Sequence, residues 1–82
     1  MAKRKVKIVP DTSILIDRRL SEMIKTGKLK KFEIVIPLAA LDELQAQASK
    51  GREPGFIGLD EIKVLRELSK RKKFRISFAG ER

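Results

Sequence analysis

The sequence contains no cysteine and no histidine. Without cysteine, the chain has no disulfide, no thiol nucleophile and no thiolate metal ligand. Without histidine, it has no imidazole for acid–base chemistry, for a serine–histidine pair or for binding a metal. A metal ion bound to this chain must therefore be a hard cation held by oxygen atoms, such as Mg²⁺ or Mn²⁺.

Long apolar runs and glycine-rich phosphate loops are also lacking. No apolar stretch approaches the ~20 residues that a membrane span needs. The basic N-terminus is not followed by the apolar core of a secretory signal. Neither G-x-x-x-x-G-K-[ST] nor G-x-G-x-x-G occurs, which argues against a nucleotide-binding enzyme. These absences predict a soluble, cytoplasmic protein with no membrane partner.

The 82 residues predict a single domain, 1–82, and 41% apolar content argues for a folded chain. A net charge of +9 would attract polyanions such as nucleic acid. The ordinary alternative is a solvated surface, because basic clusters precede each predicted strand, where helices end and cations stabilise helix C-termini. These clusters are Lys3-Arg4-Lys5, Lys28 with Lys30 and Lys31, and Lys70 to Lys73.

The apolar pattern predicts strands at residues 6–9, 32–36 and 74–78. It predicts helices from Thr12 or Ser13 to about Gly27, at 38–49 and at 59–71, with a glycine-rich loop at 50–58. The order β-α-β-α-α-β predicts an α/β, three-layer fold with a parallel sheet of about three strands. The run Ile34-Val35-Ile36 predicts a strand buried on both faces. Because typical sheets have about 4 to 6 strands, the chain looks like the first half of a larger domain.

Two acids are predicted to meet at one edge of this sheet. Asp11 follows the first strand, and ligands of open α/β sheets bind beyond the carboxyl ends of the strands. Glu43 lies in the helix after strand two, nearly opposite its apolar stripe. Two carboxylates repel each other, and a divalent ion would relieve this and activate a water towards a phosphodiester. The ordinary alternatives are a helix N-cap for Asp11 and an exposed helical glutamate for Glu43. The predicted stripe consists of Leu38, Leu41, Leu44, Gln45 and Ala48.

Basic residues near this edge are candidates for binding nucleic acid. Arg18 and Arg19 follow Asp11 in the first predicted helix. Lys50 and Arg52 belong to the predicted loop, and the sequence does not fix which end of the sheet that loop occupies.

The residues around both acids resemble a known family. Val9-Pro10-Asp11-Thr12-Ser13-Ile14-Leu15-Ile16-Asp17 is similar to the opening motif of PIN domains, a metal-dependent ribonuclease fold. Ile34-Val35-Ile36-Pro37 followed by Leu41-Asp42-Glu43-Leu44 resembles the second motif, in which a glutamate is the second metal ligand. Gly55-Phe-Ile-Gly-Leu59 and its helix look most like the N-terminal PIN domain of archaeal proteins that also carry ATPase and KH modules.

The resemblance implies roles for individual residues. Asp11 and Glu43 would be catalytic ligands of Mg²⁺ or Mn²⁺, and Thr12 or Ser13 would supply a hydroxyl at or behind the ion. Single-stranded RNA would be the substrate. Asp17 and Asp42 match no catalytic position: Asp17 is interpreted as a helix-surface acid and Asp42 as a neighbour of the site.

The chain also departs from the family pattern. PIN domains supply one or two further acids from later strands, whereas this chain ends after its third strand. The other acids are not placed to substitute; they are Glu53, Asp60, Glu61, Glu67 and Glu81. We therefore expect half of a PIN-like domain, with little or no nuclease activity alone.

In such a half, strand one would be an exposed apolar edge formed by Val6, Ile8 and Val9, which predicts a homodimer. One alternative function is a non-catalytic, self-associating half-domain that binds nucleic acid nonspecifically. A receiver-like phospho-acceptor at Asp11 is disfavoured, because receivers place an acidic pair at the end of strand one.

Overall fold

A computed structural model of the chain describes residues 6–80. Its elements are β1 (Val6–Ile8), α1 (Thr12–Ile16), α2 (Arg19–Lys25), β2 (Phe32–Pro37), α3 (Leu38–Ser49), α4 (Glu53–Lys72) and β3 (Arg75–Ala79). The three strands form one sheet in the order β1-β2-β3, and both pairs are parallel. The predicted α/β class and parallel sheet are confirmed. The cluster Lys3-Arg4-Lys5 and Glu81 lie outside the described residues.

The helices cover one face of the sheet. The crossover helices α2 and α4 hydrogen-bond to each other, so they lie on the same side. Burial along β2 alternates accordingly: Phe32, Ile34 and Ile36 are buried, whereas Val35 is half-buried. The prediction that this strand is buried on both faces is therefore wrong, because its second face carries no helix within residues 6–80. The described residues form two of the three predicted layers.

The first predicted helix is interrupted. Residues 12–16 and 19–25 form separate helices, because Arg18 adopts the left-handed conformation with φ 58°. Its guanidinium donates to Asp60 Oδ2 at 2.8 Å, which ties the turn between the two helices to α4. The predicted stop at Gly27 is correct: α2 ends two residues earlier, and Gly27 has a φ of 75°.

Helix α4 begins six residues earlier than predicted. Its first residue is Glu53, so the predicted loop at 50–58 is wrong beyond Arg52. Gly55 and Gly58 are both buried inside this helix, where it crosses α3. These glycines permit close approach of two helices rather than a turn. Across residues 6–80, every helix is too short or too polar to span a bilayer.

Helices α3 and α4 form an antiparallel hairpin that extends past the sheet. Gly55 packs beside Ala48, and Gly58 beside Leu44, so the two helices run in opposite directions. Helix α4 ends at the N-terminal edge of the sheet, where β3 begins. Helix α3 therefore runs outward from the carboxyl edge, and its 12 residues carry the turn at Lys50 about 18 Å away. The longest dimension of the molecule is 48 Å.

The core lies between the helices and the covered face of the sheet. Its fully buried members are Leu15, Ile24, Ile34, Ile36, Leu44 and Leu65. On α3, Leu44 is buried and Leu38, Leu41 and Ala48 are partly buried, whereas Gln45 is exposed, contrary to the predicted stripe. On β1, Val6 is 58% exposed, and Val9 beyond it is 57% exposed. The predicted apolar edge is thus exposed at Val6 and Val9, whereas Ile8 is partly buried against the core.

Candidate functional site

Asp11 lies where β1 gives way to α1, directly after the fully buried Pro10. Its side chain is the N-cap of α1: Oδ1 accepts from the Ile14 N–H at 3.0 Å and from the Ser13 hydroxyl at 2.9 Å. The ordinary alternative for Asp11, a helix N-cap, is therefore confirmed, and the Ser13 hydroxyl supports it. Thr12 is the first helical residue and is partly buried.

The same contacts determine the charge of Asp11. The Ile14 N–H, followed by the Ser13 hydroxyl, stabilises the ionised form and lowers the pKa of the Asp11 carboxyl. The lowered pKa keeps the carboxylate charged at neutral pH. The exposed side chain makes it accessible to solutes. Both of these hydrogen bonds are accepted by Oδ1.

Glu43 is brought to the same end of the molecule. It is the sixth residue of α3, which starts at the carboxyl edge of β2 and contacts α1. Glu43 is exposed, as predicted, and it precedes the buried Leu44. Asp42 beside it is partly buried and makes its own polar interaction. Asp11 and Glu43 thus occupy neighbouring helices at one edge of the sheet.

These two acids are not joined by a third. Within residues 6–80, no cluster of three or more acids is positioned to hold a metal ion. Mg²⁺ commonly uses only one or two carboxylates, and completes its shell with water and substrate phosphates. Two carboxylates match Mg²⁺ in number and in ligand type, and their pairing in one site stays a prediction.

The predicted basic residues have different surroundings. Arg18 is engaged by Asp60 in an ion pair whose two side chains are about half exposed. Arg19 is exposed, 4.0 Å from Asp17. Lys50 and Arg52 are exposed at the turn of the α3–α4 hairpin, beyond the carboxyl edge. The structure thus places the hairpin turn at the Asp11 end of the sheet.

Sequence reasoning missed the most buried acid. Glu61 is 1% exposed, and its Oε2 accepts from the Ser21 N–H at 2.9 Å. It stabilises the start of α2, whose N-cap residue Arg18 makes no side-chain cap. The signal was present: Glu61 lies three residues after Gly58 and one before Ile62, on the inward stripe of α4.

This chain is similar in sequence and in structure to archaeal proteins. No family model matches. An uncharacterized KH and PIN-domain containing protein of Methanocaldococcus jannaschii is 41% identical over 76 residues, which are 93% of this chain and 12% of that protein. A solved structure, a domain of a functionally unknown protein from the same archaeon, has a TM-score of 0.87 and 40% identity. It is matched over 94% of this chain and 55% of its own length.

The chain thus spans about an eighth of the curated relative and about half of the solved domain. The sequence and the structural similarity agree with each other in extent and in identity. This chain is therefore a homologue of one segment of an archaeal KH and PIN-domain containing protein, and its structure is consistent with a PIN-like fragment.

Proposed function

We propose that this chain is part of a PIN-like, metal-dependent endoribonuclease domain that acts on single-stranded RNA. The observation that carries the proposal is Asp11, an exposed carboxylate with a lowered pKa at the carboxyl edge of a parallel sheet. Glu43 on the neighbouring helix would be its partner. The KH and PIN domains named in the relative support an RNA substrate.

Asp11 and Glu43 would hold Mg²⁺ or Mn²⁺. When bound, such an ion would polarise the phosphodiester and lower the pKa of an attacking water. The chain's own residues orient the site: Ser13 and the Ile14 N–H fix Oδ1 of Asp11. Thr12 would lie beside the ion. With two carboxylates, we expect weak metal binding and slow cleavage.

Basic residues beyond the edge would bind the RNA strand. Lys50 and Arg52 on the projecting turn and Arg19 on α2 are exposed and could contact phosphates. Arg18 would contribute less, because its guanidinium already pairs with Asp60. The proposed RNA path therefore runs from the sheet edge along the α3–α4 hairpin.

Asp11→Asn tests this proposal. Asparagine caps helices as well as aspartate does, so the midpoint of urea unfolding should stay unchanged. Cleavage of an end-labelled, single-stranded RNA in Mn²⁺ should fall to the level seen with EDTA, because one anionic ligand is lost. Asp17→Asn is the matched control: it removes another exposed negative charge outside the pair, and should cleave like the original chain. Equal cleavage by Asp11→Asn and the original chain would contradict the proposal.

A second candidate function is self-association without catalysis, accompanied by nonspecific nucleic-acid binding. The observation in its favour is the edge strand β1, since Val6 on it and Val9 just after it are each more than half exposed. Such an edge offers unpaired backbone groups and apolar side chains to a second copy. RNA binding without cleavage, weakening steeply with salt, would support this candidate.

Light scattering after size exclusion tests the predicted homodimer. We expect a dimer at micromolar concentration, and a monomer for Val9→Lys, because a lysine on an edge strand opposes pairing. Phe56→Lys is the control, since Phe56 is similarly exposed, at 53%, but lies on α4. A monomer for the original chain would exclude association through this edge.

A further inference from the structure

A basic pocket lies at the end of the sheet opposite Asp11. It has a volume of about 400 Å³ and lies where β2 and β3 begin. Four lysines line it: Lys30 and Lys31 before β2, and Lys72 and Lys73 before β3. Among the described residues, no carboxylate contributes to the lining. Anions would therefore be attracted to this pocket rather than to the acidic edge.

Only one of these lysines is used internally. Lys72 Nζ donates to the Ile24 carbonyl at the end of α2, at 3.2 Å. Within residues 6–80, no hydrogen bond or ion pair engages the ammonium groups of Lys30, Lys31 and Lys73. The contact with the end of α2 thus explains the position of Lys72. It does not explain why Lys30, Lys31 and Lys73 line the same pocket.

The backbone at two of the lysines is unfavourable. Lys31 has a φ of 52° and Lys73 a φ of 56°, both in the left-handed region that glycine adopts without cost. Both residues come just before a strand, so they place their side chains at equivalent positions of neighbouring strands. Strain retained at non-glycine residues is a feature of functional sites. At Lys73 this conformation also ends α4, since Lys73 is its C-cap and donates its N–H to the Ser69 carbonyl.

The floor of the pocket is apolar and aromatic. Phe32 and Phe74 stack with their ring centroids 4.6 Å apart, and Phe74 is partly exposed. A flat, apolar group could pack on such a surface while a phosphate met the lysines. The volume is within the range of small-ligand sites, at its lower end.

We propose that this pocket binds a nucleotide unit, with its phosphate on Lys31 and Lys73 and its base on the Phe74 side of the floor. The unit is either a free nucleotide or one nucleotide of a single-stranded RNA. The site needs no metal ion and does not depend on Asp11 or Glu43, so it goes beyond the proposed nuclease chemistry.

The double variant Lys31→Gly with Lys73→Gly tests the assignment. Binding of a fluorescein-labelled 12-nucleotide oligouridylate is followed by anisotropy in EDTA, which removes metal-dependent contributions. We expect affinity to fall about tenfold or more, because two charged contacts are lost. The slope of log K against log salt should become shallower by about 0.7, because both lysines meet the same phosphate. The thermal midpoint should not fall, because glycine relieves both left-handed residues.

The control is Lys25→Ala with Lys63→Ala, which removes two exposed lysines outside the pocket. An equal loss of affinity in both double variants would overturn the proposal, since it would indicate diffuse charge attraction. Competition separates the possible ligands. Displacement by uridine monophosphate supports a free-nucleotide site, and displacement by unlabelled RNA alone supports a strand-binding site. Displacement by inorganic phosphate as strong as that by uridine monophosphate would overturn the assignment of a base to the pocket.

Discussion

Replacing Gly55 with alanine is expected to destabilise the chain by about 2–3 kcal/mol, which is a large fraction of the stability of so small a domain. Gly55 lies where α3 and α4 approach most closely. A Cβ there would meet the backbone amide of Ala48 and would lie 2.7 Å from the Leu44 carbonyl oxygen. Backbone atoms of a helix cannot rotate away, so the two helices would have to separate.

Helix propensity alone predicts the opposite sign. Alanine is favoured over glycine inside a helix by about 1 kcal/mol, so a Gly→Ala change in a loosely packed helix stabilises it. Gly58→Ala is the matched comparison, because its new Cβ would meet the Leu44 side chain, with Cδ2 at 2.5 Å and Cδ1 at 2.9 Å, rather than backbone atoms. We expect the free energy of unfolding in urea to be well below that of Gly58→Ala for the Gly55→Ala chain. A Gly55→Ala chain as stable as the original would show that the helices are not in close contact.

Glu61→Ala is expected to cost about 2–4 kcal/mol. The change leaves a cavity in place of a side chain that is 1% exposed, and it leaves the Ser21 N–H, also buried, without its acceptor. An unpaired buried donor costs about 1–3 kcal/mol by itself. The start of α2 has no side-chain cap of its own, so it would lose its principal stabilising contact.

Glu61→Gln separates the hydrogen bond from the cavity. Glutamine has the same shape and keeps a carbonyl oxygen for the Ser21 N–H, so we expect a loss of under about 1 kcal/mol. Asp60→Asn provides a second comparison: it removes the neighbouring ion pair with Arg18, which is half exposed and worth little. Urea unfolding measures all three. Equal losses for Glu61→Ala and Asp60→Asn would contradict the assigned role of Glu61.

Much of the fold could be predicted from the sequence, because the strands carry strong local signals. Ile34-Val35-Ile36 and the alternation around Ile76 indicated strands, and each observed strand lies within one residue of its predicted bounds. The parallel order also followed, since helical segments separate the strands. That only one face of the sheet is covered could not follow, because β-branched residues suit half-buried and fully buried strands alike.

The interruption between α1 and α2 depends on contacts distant in sequence. Residues 16, 20, 23 and 24 continue one helical stripe. The break depends on the ion pair of Arg18 with Asp60 and on the Ser21 N–H donated to Glu61, both distant in sequence. The start of α4 was missed for a different reason. Gly55 and Gly58 normally indicate a loop, and their use in close helix packing becomes visible only when α3 is in place.

The site was predicted in part. Asp11 was identified from its position after a buried strand, and its ordinary alternative, the N-cap of α1, is confirmed. Glu43 was correctly predicted to face solvent, because it lies opposite the apolar stripe. The role of Glu61 was missed, because its partner, the Ser21 N–H, is 40 residues away in the sequence. The sequence predicted Lys31 and Lys73 as members of basic clusters before strands, but it did not predict that they line one pocket.

The α3–α4 hairpin also has a consequence for the order in which the chain folds. Its two helices are joined by three residues, 50–52, so their contacts close a short loop. The sheet, in contrast, pairs Val6 with Phe32 and Glu33 with Arg75, across much longer segments. Local contacts form faster than distant ones. We therefore expect the hairpin to form in the folding nucleus. Gly55→Ala should then slow refolding more than it speeds unfolding.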